Sequence, residues 1–412
     1  MSDGDQTKIH VPDDAYRHWW RVGFAMFAVG FGANHFIPLL QVYREGMASS
    51  EASLTAMVGV YAAGLIPALL YFGRLSDQIG RKSVLMPGLW VALVGTLILA
   101  LGAFSQEWPL YLGRIIIGVS VGMGMACGAA WIKQLSTDDP VAGPRRATVA
   151  VSAGFGLGPL ISGVIAEFAP APDFLPYVIH AAVTLCALWW LRAAPETQEG
   201  RGVGKRKIVP PVVFTAAYLL AIVAWAPWTF GAPTTAFVTN PSQIGIDSAF
   251  PTLVQGLLAF LTMFSSLFIQ PVVAKLLANG PRWLALAALG LTTTAAGLGV
   301  AVAAALTGSV WLMLITAPVL GTAYGIFMVA GLAETERFAD DGELGALVGI
   351  FYSLTYLGFF VPFLISMLVT GAENVFGMDP TQAYVGVLAV GVVVCLASIW
   401  PVSKAAGYGG RS

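Results

Sequence analysis

Long apolar stretches alternate with short polar connections along almost the whole chain, and the length of those stretches decides their structure. A helix needs about 20 mainly apolar residues to cross the hydrocarbon core of a bilayer. A window of that size finds twelve: 18–40, 52–73, 83–104, 108–132, 145–168, 174–193, 212–238, 249–274, 282–306, 309–333, 344–371 and 381–402. In lipid only helices or closed barrels satisfy every backbone group, and runs this long and continuous are helices. The pattern predicts an all-α integral membrane protein with twelve transmembrane helices.

Lysine and arginine fix the orientation, because cytoplasmic loops carry the excess of both. With both termini placed in the cytoplasm, every Lys and Arg falls on that side except Arg44, outside, and Arg114, inside the fourth span. One missed span would scramble this alternation. Five basic residues, Arg192, Arg201, Lys205, Arg206 and Lys207, cluster after span six. The chain therefore divides into a cytoplasmic N-terminal tail 1–17, a six-helix bundle 18–193, a cytoplasmic linker 194–211, a second bundle 212–402 and a cytoplasmic C-terminal tail 403–412. The halves carry an internal echo. Gly80-Arg81-Lys82 lies 200 positions before Gly280-Pro281-Arg282, and Gly118 and Gly122 have counterparts in Gly321 and Gly325, with Ala317 where Arg114 would stand.

Composition agrees. The chain is 57% hydrophobic and 10% charged, with a mean hydropathy of +0.77, whereas soluble domains carry about 25% charged residues. A net charge of −1 argues against nucleic acid as a partner. The cysteines Cys127, Cys186 and Cys395 all sit in apolar runs and read as packing residues. The stretch Met1 to Asp14 is polar and acidic, unlike a cleavable leader. Neither metal-type histidine spacing nor a nucleophile–base pair suggests an enzyme, and no cofactor is expected.

Three motifs carry mechanism. Gly73-Arg74-Leu75-Ser76-Asp77-Gln78-Ile79-Gly80-Arg81-Lys82-Ser83-Val84-Leu85 joins spans two and three. It resembles the loop between helices 2 and 3 of the major facilitator superfamily of secondary transporters, with Ser76 and Gln78 as mild departures. Leu110-Tyr111-x-x-Arg114-x-x-Ile117-Gly118 is similar to that family's span-four pattern, with Ile117 replacing a polar residue. Gly154-x-x-x-Gly158-Pro159-x-x-Ser162-Gly163 resembles the span-five element of its twelve-helix drug/proton antiporter, or efflux, group.

The resemblance implies two pseudo-symmetric six-helix bundles that rock about a midplane site. It implies that Gly73, Asp77, Gly80, Arg81 and Lys82 latch the halves on the cytoplasmic side; the same charges also serve to orient the chain. It implies a proton-coupling role for Arg114, which lies roughly 9 Å along its helix from the outer interface, a depth at which an ion normally faces a partner or a cavity. Snorkelling to the outer interface is the alternative. Asn34, His35, Glu167 and His180 share that zone and can form a polar network with Arg114. Span one has no acid, so His35 is the first proton candidate, followed by Glu167, His180 and Glu334; a neutral hydrogen-bonding role for His35 stands beside this. An exposed ion pair with Arg337 is the alternative for Glu334. Gly154, Gly158, Pro159 and Gly163 point to close, bent helix packing.

Cavity candidates are Asn34, Tyr61, Met123, Trp131, Trp225, Trp228, Gln255, Tyr324, Phe327, Tyr352 and Tyr356. Aromatic faces with few fixed charges suit a bulky apolar or weakly cationic solute. The expected function is proton-coupled efflux of such a compound by a monomer in the cell (inner) membrane, in contact with lipid and small-molecule substrate alone. The alternative is uptake of a sugar or small organic acid. The latch reading predicts that Asp77→Asn nearly abolishes transport at unchanged membrane insertion. Wild-type rates at equal surface level would remove it.

Overall fold

Polar punctuation sets the helix boundaries of the computed structural model, which describes residues 18–47, 49–104, 106–136, 142–197, 209–278, 280, 283–339 and 343–405. Ser50 caps the second span by accepting a hydrogen bond from the Ser53 N–H at 3.1 Å, and Thr215 and Ser309 cap two others through Tyr218 and Leu312. Gly377, at φ 63°, closes the eleventh span in the left-handed conformation that favours glycine.

In chain order the spans are α1 (Trp19–Gly46), α2 (Glu51–Ile79), α3 (Lys82–Phe104), α4 (Glu107–Leu135), α5 (Ala142–Phe168) and α6 (Leu175–Leu191). The second half continues with α7 (Ala216–Ile244), α8 (Pro251–Ala278), α9 (Trp283–Thr307), α10 (Val310–Arg337), α11 (Leu344–Phe376) and α12 (Pro380–Ala405). Eleven are long and apolar enough to cross a membrane unaided; α6 has 17 residues, about 26 Å of helix. Two spans are irregular. α1 breaks into turns at 35–38, and α7 contains π-helical turns at Leu219–Val223 and Thr235–Thr239 on either side of Pro227.

The helices outrun the sequence windows on the cytoplasmic side. α2 continues to Ile79, α4 to Leu135, α8 to Ala278 and α10 to Arg337, because hydropathy stops at the first charge whereas helical hydrogen bonding does not. The charged loop therefore shrinks to a turn at Gly80 and Arg81, and Asp77 rides on the last turn of α2. The tails 1–17 and 406–412, Arg201, Lys205, Arg206 and Lys207 of the linker, and Pro281 and Arg282 of the internal echo lie outside the described residues.

The glycine echo has a three-dimensional meaning. A side-chain carbon at Gly118 would collide with the Tyr61 carbonyl, and one at Gly122 would lie 2.6 Å from that of Leu65, so α4 rests backbone-to-backbone on α2. Gly321 and Gly325 of α10 meet the Thr262 and Ser266 carbonyls of α8 in the same way. α2 corresponds to α8 and α4 to α10 across a six-helix repeat. The halves then meet along two seams, α5 against α8 and α2 against α11.

Backbone-to-backbone contact leaves no room for adjustment. Gly118→Leu and Gly321→Leu are each expected to destabilise the bundle by at least the ~1–3 kcal/mol typical of overpacking. Thermal unfolding of purified protein checks this, with Gly299→Leu, which meets open space, as the control.

Candidate functional site

A cavity of about 310 Å³ lies between the two halves. Its lining comes from α4 (Met125), α5 (Thr148, Val151, Ser152, Phe155), α7 (Phe230), α8 (Gln270), α10 (Tyr324, Met328, Val329, Leu332, Ala333, Glu336) and α11 (Tyr352, Tyr356). Phe230 stacks on Tyr356 at 4.6 Å and packs against Tyr324 at 5.2 Å, forming an aromatic roof. Glu336, near the cytoplasmic end of α10, supplies the only charged side chain among the described residues of the lining. On the outer side the halves are closed. The Glu167 carboxylate accepts from the backbone N–H groups of Thr252 and Leu253 at 2.9 and 3.1 Å, at the start of α8, where the helix dipole favours an anion. Phe168 packs on Phe250, Ser242 donates to Glu51, and Thr55 donates to Ser366. The cavity thus sits below an outer seal and extends toward the cytoplasmic face.

α5 explains the seal. Gly154 and Gly158 pack on the Phe27 and Phe31 carbonyls of α1, within one half. Pro159 and Gly163 face Gly256 of α8, in the other half; a side-chain carbon on Gly256 would lie 2.6 Å from the Pro159 carbonyl. Pro159 has no N–H to offer the carbonyl four residues earlier. That carbonyl, Phe155 O, accepts instead from Asn34 Nδ2 at 3.3 Å.

Arg114 is completely buried. It donates to the Ala33 carbonyl at 2.8 Å and the Met57 carbonyl at 3.1 Å, and its guanidinium lies 4.6 Å and 5.0 Å from the ring centres of Tyr61 and Phe36. Ala33 O is free for this because α1 breaks just beyond it: the Ile37 N–H, its regular partner, bonds Asn34 O. His35 stacks on His180 at 4.6 Å, and Phe31 packs against both rings, 5.6 Å from His180 and 5.9 Å from His35. His180 Nδ1 lies 2.6 Å from the Thr96 hydroxyl, while His35 Nε2 and one Arg114 nitrogen have no hydrogen-bond partner. No carboxylate joins this group among its hydrogen bonds; Glu167 is committed to α8 instead. In the other half, Glu334 is 1% exposed, the one acid so buried among the described residues. Arg337 Nε lies 3.2 Å from it, yet neither carboxylate oxygen has an aligned donor.

The residues expected to form a latch make contacts within their own half. Asp77 pairs with Arg81 at 2.6 Å, and Arg81 also donates to Ser76. The Glu196 carboxylate accepts from the Arg81 and Lys82 N–H groups at 3.0 and 2.8 Å, at the N-terminus of α3, while Lys82 reaches the Arg192 and Ala194 carbonyls.

Of the expected cavity residues, Tyr324, Tyr352 and Tyr356 line the cavity. Eight others are placed elsewhere, Met123 and Phe327 among them in buried apolar cores. Trp131 is fully buried with its indole donating to Pro195 O, and Trp225 donates to Ala221 O while stacking on Phe327 at 5.0 Å. Trp228 packs in the core of the second half, and Gln255 donates to Phe237 O at 3.1 Å. Tyr61 packs on Arg114, and Asn34 donates to Phe155 O. Ser152, Gln270 and Met328 had no motif to flag them.

The sequence profile described as Major Facilitator Superfamily matches residues 22–363. The chain belongs to that superfamily. Curated relatives include the class D tetracycline resistance protein of Salmonella ordonez, 28% identical over 49% of this chain and 54% of that protein. The class H tetracycline resistance protein of Pasteurella multocida is 25% identical over 83% of this chain and 86% of its own. The quinolone resistance protein NorA of Staphylococcus aureus is 30% identical over 35% of this chain and 37% of its own. The chain spans about half the length of the class D relative, which limits what that match carries. Among solved structures, a POT family transporter crystallised with 5-aminolevulinic acid matches with a TM-score of 0.76 at 11% identity, covering 97% of this chain and 98% of that one. The nucleoside transporter NupG matches at 0.72 and 12%, covering 94% and 99%. The fold is that of the superfamily, and the chain is one of its multi-pass membrane proteins.

Glu196 anchors the latch turn with two charge-assisted bonds at a helix start. Glu196→Ala is expected to cost about 1–2 kcal/mol and to lower transport, with partial recovery in Glu196→Gln. Thermal unfolding paired with flux in vesicles checks it.

Proposed function

We propose that this transporter exports a small, largely apolar or weakly cationic compound across the cell membrane, driven by protons moving the other way, and that it works as a monomer. The observation that carries this reading is the cavity lining: tyrosines, phenylalanine and methionines, a few neutral polar groups, and one carboxylate, Glu336. Aromatic faces and a lone anion attract a delocalised cation. A sugar needs many fixed hydrogen-bonding groups, and an organic acid needs a cation, which the lining does not offer. The names of the relatives, tetracycline, quinolone and multidrug resistance proteins, favour export over the alternative of uptake.

Alternating access then proceeds by separation of the α5–α8 and α2–α11 seams on the outer side while the cytoplasmic ends close. In closing, the α2 end bearing Asp77 approaches the start of α11, against which Leu70 already packs at Gly349. The helix start offers a positive end to the carboxylate, and Gly80 allows the turn. For coupling, Glu334 comes forward of His35: it is a buried acid two residues from the cavity-lining Glu336, whereas His35 and His180 lie beside a cation. Arg114 keeps the first half charged and excludes free protons from that route.

In inverted vesicles, an imposed pH gradient is expected to drive uptake of a cationic dye, and an uncoupler to abolish it. Glu334→Gln should lose the gradient response while still binding the dye. Glu336→Gln should weaken export of cations more than of neutral analogues. Flux indifferent to the gradient in the parent protein would exclude proton coupling, and equal losses for cations and neutral analogues would exclude the role given to Glu336.

A further inference from the structure

A second concavity lies away from the transport path, between the cytoplasmic ends of α1 and α5, with a volume of about 440 Å³. At about 100° per residue, its α5 residues Arg145, Arg146, Val149 and Ala150 occupy a different face from Thr148, Val151, Ser152 and Phe155, which line the central cavity. Gly23 and Ala150 give it depth where α1 and α5 approach, and Trp20 and Val149, 40% and 52% exposed, form its outward walls. Its apolar lining ends in charge. Arg145 is exposed, without an ion-pair partner among the described residues, and the Arg146 guanidinium lies 4.5 Å over the Trp19 ring. No carboxylate is among the described lining residues.

The surroundings place this groove at the membrane interface. Trp20 and Phe24 pack on Trp190 of α6 at 5.4 and 4.6 Å, and Arg192 lies over Trp189, the tryptophan and arginine belt expected at headgroup level. From the rim at Trp19 to Phe27 is about 12 Å of helix, running from headgroup depth into hydrocarbon. The occupant must therefore be apolar along its length, negative at its head, and supplied by the cytoplasmic leaflet.

We propose that this groove binds one anionic phospholipid, its phosphate held by Arg145 and Arg146 and one acyl chain laid along Gly23, Phe27 and Val149. The assignment rests on charge complementarity between two guanidiniums and an anionic headgroup, and it is independent of what the central cavity carries. Because Trp19 and Arg146 bridge α1 and α5, the lipid braces two helices that Gly154 and Gly158 already hold together.

Native mass spectrometry of the full-length protein in detergent, titrated with phosphatidylglycerol or phosphatidylcholine, tests this. Phosphatidylglycerol is expected to form the more persistent one-to-one adduct. Arg145→Gln and Arg146→Gln should each lower its occupancy about fivefold. Gly23→Leu fills the groove from a position where an added side-chain carbon meets Trp19 and Ala150 at 3.6 and 3.8 Å, ordinary contact; it should remove the adduct with circular dichroism unchanged. Lys275→Gln with Lys404→Gln, on the same membrane side, should leave the adduct intact. Equal retention of the two lipids, equal loss in the lysine control, an adduct that survives Gly23→Leu, or displacement by inorganic phosphate or by the transported dye would each overturn the proposal.

Discussion

Close approach of helix backbones at glycine holds this molecule together. Lipid tails are as apolar as leucine, so burying side chains between helices gains little from the hydrophobic effect, and association relies on contact and hydrogen bonding. Among the places where the chain meets this constraint are α4 on α2 at Gly118 and Gly122, α10 on α8 at Gly321 and Gly325, α5 on α1 at Gly154 and Gly158, and α5 on α8 at Gly163 and Gly256. The first three lie within a half and stay closed. The fourth lies between halves, and the proposed alternating access requires it to open. The difference is in what accompanies the glycines. The within-half contacts extend through buried aromatic and aliphatic cores. The outer seam adds polar contacts, such as Glu167 at the start of α8 and Ser242 on Glu51, whose partners water can replace when the seam separates.

A second constraint is the placement of charge without counter-charge. A buried guanidinium is costly unless its donors find acceptors. For Arg114 those acceptors are mostly backbone. The break in α1 releases Ala33 O, Met57 O lies on the opposite side, and two aromatic faces fill the remainder. The broken helix and the buried cation are therefore one feature. An unbroken α1 would leave Arg114 short of an acceptor, and an apolar residue at 114 would leave Ala33 O short of a donor.

What the sequence made legible follows from which physical variable each feature depends on. The spans, their orientation and the glycine echo depend on position along the membrane normal, which hydropathy and charge record directly. The cavity depends on rotation about each helix axis, which they record poorly. Trp131, Trp225 and Trp228 carried the chemistry expected of a cavity wall, yet each turns toward the core of its own half. Glu167 was placed correctly in depth beside Arg114, but its rotation carries it to α8. The role of Glu196 was hidden because a proline–acid–hydroxyl run after span six fits any helix end; only the fold brings it to the first N–H groups of α3. The buried state of Glu334 was equally hidden, since its neighbours Glu336 and Arg337 made the whole segment look solvated.

The two helix irregularities meet at one point, and this gives the seam a mechanical connection to the buried cation. Pro159 frees Phe155 O, which takes its hydrogen bond from Asn34, and the α1 break frees Ala33 O, which takes its own from Arg114. Adjacent residues of α1 thus take part in both bonds: Asn34 donates to the carbonyl released in α5, and Ala33 offers its own released carbonyl to Arg114. The same proline lies against Gly256, so separating α5 from α8 moves the residue that created the first vacancy. Spatial continuity by itself transmits nothing. Here each link is a buried backbone acceptor that needs a donor in every conformation, so a shift of α5 relative to α1 requires Asn34 either to follow Phe155 O or to find another partner. Its Oδ1 already lacks one. The side chain beside Arg114 is therefore held by a single interaction that the α5–α8 seam can disturb, which makes residues 33–35 the place where opening of the seam is felt first.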